Sequence, residues 1–443
     1  MSSKYLFKQI VLPKGGFLRG PFGGDLKKEI FVEKSSDTYK VYEQGVVLNS
    51  DKRLGRYYIS NDDYISKLNK FSVQDKDFLV SCSGVNMGAI YQLKAPFERG
   101  IINQALLRIR LNNDLIDDNY FFYLFKELIS RKIITGSGDS TIPNFPGLNV
   151  IKNIEFELPD KNIQKKIGEL LSYLESKIEL NNFINAELES MAKTIYNYWF
   201  VQFDFPDKNG KPYKSRGGKM VWNDELKKAI PEGWEVKTLL DIATFTNGLA
   251  CQKFRPVNET DSLPVIKIKE MNEGISSKTE LVRNDIPKHL IIENGDVLFS
   301  WSATLDVKIW TGGKGGLNQH IFKVTSLKYP RTYYYFEVLS YLQHFKMMAE
   351  LRKTTMGHIT QDHLRQSRIS VPPIDLIEQL HIKLNPLIEL SIKNKEQNEQ
   401  LSNLRDWLLP MLMNGQVSVD KAHEQTEEVL GMVAEDGEGY KKS

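Results

Sequence analysis

Apolar and polar positions alternate along short stretches of this chain, and those stretches occur in two matching sets. Asp77-Phe78-Leu79-Val80-Ser81-Cys82-Ser83 recurs as Asp296-Val297-Leu298-Phe299-Ser300-Trp301-Ser302. Each has the period of a half-buried strand, with an aspartate at the turn before it. Asn103-Gln104 is matched by Asn318-Gln319, each ahead of another alternating apolar strand. Two aromatic helical stretches follow, Asn119 to Leu124 and Thr332 to Phe336, and then Ile154 to Pro159 pairs with Ile369 to Pro373 as a strand ending at proline. The same features in the same order, offset by about 215 residues, make an internal repeat.

After each set the apolar period changes to three and four. Ile163, Ile167, Leu170, Leu174, Ile178, Asn181, Asn185, Leu188, Met191, Ile195 and Trp199 form one stripe. Leu380, Leu384, Leu387, Ser391, Asn394, Asn398, Leu401, Leu404, Leu408 and Met411 form the other. Such stripes belong to helices that pack on one another over many turns. Asn181 and Asn185 align with Asn394 and Asn398, and all four sit on the seam. Either they form matched buried layers that fix register, or they lie at the seam edge and face water. The fold class predicted is α+β, in the order globular domain (1–158), helix (159–202), linker (203–229), globular domain (230–371), helix (372–416) and tail (417–443). The Pro, Gly and Lys content from Phe203 to Lys219 predicts a loop that leads the chain away from the helix end.

Composition agrees with this division. A chain of 443 residues is too long for one ordinary core. Its formal charge of +3 is too mild to indicate nucleic-acid binding, but it is unevenly spread. From Asp420 onward the net charge is −4, which leaves +7 on the body and predicts an acidic, disordered tail. Two cysteines, Cys82 and Cys251, cannot build a disulfide framework or a zinc cluster. With no apolar run of membrane-spanning length and no signal-peptide core at the N-terminus, a cytoplasmic protein is expected.

Catalytic patterns are sparse. The Pro-Pro at Pro372-Pro373 has the wrong flanks for an adenine-methyltransferase motif. Gly312-Gly313-Lys314-Gly315-Gly316 lacks the order of a phosphate loop and is read as a flexible hairpin turn. The seven histidines show no metal-ligand spacing, so no metal is expected. The chain alone is expected not to be an enzyme.

At this point the sequence resembles the specificity subunits of type I restriction-modification enzymes. The resembling segments are Ile178-Glu179-Leu180-Asn181-Asn182, Met191 to Tyr196, Trp199 to Pro206, Asn209-Gly210-Lys211-Pro212-Tyr213, Ile230-Pro231-Glu232-Gly233-Trp234 and Leu408 to Gly415. They cover the helices, the linker and the domain openings, and the likeness is loose inside the globular domains. The resemblance implies two target-recognition domains separated by an antiparallel coiled coil of the two helices, with a pseudo-twofold internal repeat. It also implies duplex DNA as ligand, two adenine-methyltransferase subunits as partners and motor-nuclease subunits for restriction. S-adenosylmethionine, ATP and magnesium would then be held by those partner subunits and no cofactor by this chain.

A rigid spacer suits that reading. About 38 residues of helix span roughly 57 Å, enough to bridge major-groove faces roughly 34–36 Å apart. Two domains of different sequence predict an asymmetric bipartite target with a fixed gap. Base reading needs bidentate donors and acceptors, and phosphate holding needs Lys and Arg. Candidates in the first domain are Arg19, Lys27, Lys28, Tyr42, Ser83, Asn86, Gln104, Ser140 and Thr141. In the second they are Lys253, Arg255, Lys267, Lys269, Trp301, Ser302, Thr304, Lys314, Gln319, Lys353, Thr354, His358 and Thr360. The aromatic runs at 120 and 333 are assigned to buried helix faces, because duplex DNA offers no unstacked base. The alternative is a coiled-coil scaffold without DNA readout, which accounts for the helices but not for the repeated domains with basic, Gly-rich loops.

Overall fold

The computed structural model describes residues 3–22, 24–84, 86–134, 145–257, 261–351 and 358–438. The chain forms two compact units, one of Met1–Ser176 with Leu401–Glu435 and one built on Lys177–Gln400. The division passes through both long helices, Lys161–Tyr196 and Ile374–Met413, so each unit holds a globular domain and a share of each helix.

In the first unit an antiparallel sheet runs in the order Phe17–Arg19, Leu106–Ile109, Phe78–Ser81, Ile90–Gln92. A second sheet runs Phe31–Val32, Tyr58–Ile59, Tyr39–Tyr42, Gly100–Ile102, with its last pair parallel. Strand Phe78–Ser81 is buried on both faces, where the alternating pattern predicts one. Leu79 packs with Val41 and Ile101 of the second sheet, and Phe78 meets Phe121 of helix Asp118–Ser130 with ring centroids 4.9 Å apart. The aromatic run therefore lies where its spacing places it, as the covering layer of a sheet–sheet–helix stack. Strand Ser3–Leu6 pairs antiparallel with Glu155–Leu158 and closes the domain at the start of the long helix. There Asp160 accepts from the backbone N–H groups of Asn162 and Ile163, and the buried Gln164 side chain donates to the Leu115 and Pro159 carbonyls. Helix and domain thus share a polar anchor.

The second unit repeats the antiparallel sheet, while its other sheet keeps the parallel pair but carries its additional strand on the opposite edge. Its antiparallel sheet runs Thr244–Asn247, Ile321–Thr325, Val297–Ser300, Asp306–Ile309. Its other sheet runs Leu281–Arg283, Ser262–Ile266, Gly315–Leu317, Ile291–Ile292, again with one parallel pair. Leu298 packs with Ile266 and Leu317, and Phe299 stacks on Phe345 of helix Arg331–Leu351. Glu235–Lys237 pairs with Ile369–Val371 as the closing strands. The aspartates that open the central strands also match. Asp77 accepts from Gln74 N–H at 2.7 Å and from Arg110 Nε at 2.7 Å. Asp296 accepts from Glu293 N–H at 2.8 Å and pairs with Lys323 at 2.7 Å.

Two expectations are corrected. The tail forms a helix, Val419–Glu438, because Val419, Ala422 and Thr426 fall on one buried face while Asp420, Glu424, Glu427 and Glu428 are exposed. Gly312 to Gly316 is not a hairpin turn: it carries the chain from strand Asp306–Ile309 of one sheet to strand Gly315–Leu317 of the other, and the last two glycines are buried. The linker, read as a loop, is pinned to the fold. Phe203 and Phe205 are buried against Trp234, Asp204 accepts from the Ser215 N–H and hydroxyl, and a hairpin of Met220–Asn223 with Lys228–Pro231 follows.

Candidate nucleic-acid interface

At one end of each antiparallel sheet three backbone hydrogen bonds recur and bring five chain segments together. Gly20 N–H donates to the Leu106 carbonyl at 3.0 Å, and Gly248 N–H to Ile321 at 3.2 Å. Asn103 N–H donates to Tyr42 at 3.0 Å, and Asn318 N–H to Ile266 at 3.2 Å, where the two sheets meet. Phe145 N–H donates to the Cys82 carbonyl at 3.2 Å, and Ile359 N–H to Trp301 at 2.9 Å. Gly20 and Gly248 are required at this place, since a Cβ on either would overlap the carbonyl of Asn103 or Asn318. Backbone and glycines thus define one cradle, built twice.

Different side chains fill it. In the first domain they are Arg19, Cys82, Ser83 and Gln104. Arg19 pairs with Leu107 across the sheet and is half-buried, and its Nε has no hydrogen-bond partner. Gln44 Nε2 donates to Ser81 Oγ and to the Ser83 carbonyl, both at 2.7 Å, and so fixes the turn after the central strand. Cys82 is fully buried, and burial pushes its thiol up to about 11, so it stays a neutral thiol beside Arg19. Gln104 and Asn86 are exposed.

In the second domain the equivalent of Arg19 is Asn247, paired with Phe322 across the sheet. Trp301 Nε1 donates to Asn247 Oδ1 at 3.1 Å. The Trp301 ring lies 5.6 Å from that of His320 and 5.5 Å from that of His358. Ser302 Oγ and His320 Nδ1 are 3.3 Å apart, as are Gln319 Nε2 and His320 Nε2. Beside the cradle, Lys253 and Arg255 are exposed just after Leu249, which bridges to Asn318. Lys267 is next to Ile266 but is engaged by Glu280 at 2.6 Å.

The structure therefore brings Arg19, Ser83 and Gln104 together in one cradle and Trp301, Ser302, Gln319 and His358 in the other. Thr304 is exposed in the turn beyond Trp301, where its carbonyl accepts from Ser300 Oγ. Thr360 opens the short helix Gln361–Gln366 next to Ile359. Lys27 and Lys28 stand exposed at the turn before strand Phe31–Val32, Lys269 is exposed on helix Ile268–Glu273, and Lys314 pairs with Glu293 at 3.1 Å. Ser140, Thr141, Lys353 and Thr354 lie outside the described residues. Tyr42 is a correction: it is fully buried, with its hydroxyl donating to the Glu98 carbonyl at 2.6 Å, so only its backbone serves the cradle. Asn247 and His320 escaped the sequence reading, as did Gln44. The Gly after Asn247, matching the Gly after Arg19, is the signal that identifies the first of these.

The helix asparagines are also in place. Asn181 is buried and donates to Gln397 Oε1 at 2.8 Å and to Asn398 Oδ1 at 2.9 Å. Asn394 donates to Asn185 Oδ1 at 3.0 Å, and Asn398 donates to Asn182 Oδ1 at 2.9 Å. Rising numbers on one helix meet falling numbers on the other, so the pair is antiparallel. Of the two readings of these positions, the buried one describes Asn181 and Asn185.

Two α+β domains that share an antiparallel four-stranded sheet, each followed by a long helix and each carrying the same backbone cradle with different side chains, make the chain an internal duplication. The model of the type I restriction modification DNA specificity domain matches residues 23–190 and 231–403, and the chain belongs to that family. It is 28% identical over 328 residues to the type I restriction enzyme MjaIX specificity subunit of Methanocaldococcus jannaschii, covering 72% of this chain and 73% of that protein. It is 22% identical to the HindI specificity subunit of Haemophilus influenzae, covering 86% and 95%. Its fold is that of a type I restriction-modification S subunit from M. genitalium, with a TM-score of 0.57, 14% identity, and 93% and 96% of the two chains covered. Proteins of this family are non-catalytic targeting subunits. Among the described residues no helix is long and apolar enough to cross a membrane.

Proposed function

We propose that this chain directs a type I restriction-modification complex in the cytoplasm to an asymmetric bipartite DNA sequence, each cradle reading one half. The observation that carries this is the pair of cradles: the same three backbone hydrogen bonds and the same glycine, with Arg19 and Cys82 in one and Asn247 and Trp301 in the other. A conserved frame with exchanged polar side chains is what two readers of different base edges require. Exposed Lys27, Lys28, Lys253 and Arg255 then serve phosphates. The antiparallel helices form the spacer, with the asparagine contacts setting its register. Two adenine-methyltransferase subunits and, for restriction, motor-nuclease subunits are the partners, and they hold S-adenosylmethionine, ATP and magnesium.

The test is duplex selection from a randomised pool by the chain co-purified with its methyltransferase subunits. Two short fixed blocks around a constant gap are expected, with log affinity falling linearly as log salt rises. Recovery of unselected DNA, or salt-independent binding, refutes the reading in favour of a scaffold.

A further inference from the structure

Among the described residues of the first domain, the buried cations Lys40 and Arg108 and the part-buried Arg110 are each held by hydrogen bonds within the fold, although Arg108 Nε is left unpartnered. Lys40 donates to the Lys52 and Arg53 carbonyls and to Glu98, Arg108 to the Lys70 carbonyl, and Arg110 to Asp77. Arg19 is half-buried on the edge strand, no carboxylate lies within ion-pair distance among the described residues, and its buried Nε is unpartnered. A guanidinium held in a partly desolvated cradle without an acceptor is set to meet one that arrives with a ligand. Its neighbour Cys82 offers no acceptor comparable to a carboxylate.

Asn247 occupies the same strand position in the second domain, and its amide polarity is fixed. Trp301 Nε1–H is a donor only, so the atom facing it must be Oδ1. Nδ2 and the second lone pair of Oδ1 are left for an incoming group, and the residue is exposed. Guanine offers two acceptors, O6 and N7, in the major groove, which match the fork of a guanidinium. Adenine offers one donor and one acceptor, N6–H and N7, which match an amide held in one orientation.

We propose that Arg19 reads a guanine in one half of the target and that Asn247, oriented by Trp301, reads an adenine in the other. This rests on the reading of the cradles as DNA-binding sites and assigns the base that each accepts.

The test uses the full complex with its methyltransferase subunits. Motifs selected by the native complex and by the Arg19→Ala, Asn247→Ala and Trp301→Phe complexes are compared. Arg19→Ala is expected to make one guanine position degenerate and to leave the other half unchanged. Asn247→Ala is expected to do the same to an adenine in the other half. Trp301→Phe keeps an aromatic ring, though a smaller one, and loses the N–H, and is expected to relax that same adenine alone. A second measurement alters the DNA: replacing the guanine by 7-deazaguanine, which lacks the N7 acceptor, should weaken native binding at least about fivefold and leave the Arg19→Ala complex unaffected. Native and variant complexes that select identical motifs overturn the assignment, as does a relaxed position that is not guanine or adenine. So does equal loss on 7-deazaguanine with and without Arg19. If no complex selects a bipartite motif, the DNA reading of the cradles fails and the assignment falls with it. A bipartite motif indifferent to all three substitutions sinks the assignment alone.

Discussion

Asn181→Ala perturbs the point where the antiparallel helices are most polar inside. Its amide supplies hydrogens to two acceptors, Gln397 Oε1 at 2.8 Å and Asn398 Oδ1 at 2.9 Å, and both Asn181 and Gln397 are buried. Removing the donor leaves the Gln397 oxygen without water or partner, a loss of about 1–3 kcal/mol for a buried neutral acceptor. Asn398 is less buried and keeps its bonds to Asn182 and the Ile178 carbonyl, so it adds about 1 kcal/mol. The expected destabilisation is about 2–4 kcal/mol. Asn185→Ala is expected to cost less, because Asn185 Nδ2 is buried without a partner in the native protein and its oxygen serves one bond only. The double change Asn181→Leu with Gln397→Leu removes donor and acceptor together and should recover most of the loss. Five of the six tryptophans lie between residues 199 and 310, so tryptophan fluorescence during urea unfolding reports chiefly on the unit that holds this contact. A loss below about 0.5 kcal/mol for Asn181→Ala, or equal losses for Asn181→Ala and Asn185→Ala, would refute the reasoning.

Two further outcomes follow from buried ionisable groups. Burial pushes the Glu337 carboxyl up to about 7, despite the Tyr196 and Tyr333 hydroxyls and Lys228 beside it, which favour its charged form. The folded protein therefore holds a proton that the unfolded chain has released between pH 4.5 and 7, so this group's contribution falls as pH rises through that window, by at most about 3 kcal/mol. Glu337→Gln should flatten that dependence in urea titrations from pH 5 to 8; an unchanged slope contradicts it. Asp77→Ala strips the carboxylate from Arg110 and the nearby Arg108, both in the interior of the first domain, and should cost roughly 3–5 kcal/mol by circular dichroism in urea. A near-neutral result would mean that water reaches those guanidiniums.

The repeat, the two long helices and the buried aromatic runs were legible because period and order survive in the chain itself. Burial of Phe78–Ser81 on both faces was not, since the second sheet that covers Leu79 comes from strands as short as Phe31–Val32 and Tyr58–Ile59, too brief to carry a period. Asn247 escaped because more residues separate Gly20 from Asp77 than Gly248 from Asp296, which shifts the two domain openings out of the register that aligns their central strands. Tyr42 looked like a polar aromatic on a strand; only the fold shows Glu98 taking its hydroxyl. The tail was misjudged from its charge, although an acidic segment can still be a helix when Val419, Ala422 and Thr426 give it one face to bury.

The central claim is that each cradle reads its own half of one DNA target. Co-expressing the chain with its methyltransferase subunits and mapping methylated adenines across the host DNA tests it most directly. Gly20→Ala and Gly248→Ala, each of which presses a side chain into one cradle's backbone, serve as the perturbations. The native chain should yield one asymmetric bipartite motif, and each substitution should degrade a different half of it while the complex still assembles. A motif that survives both substitutions, or that loses the same half to each, would contradict the account.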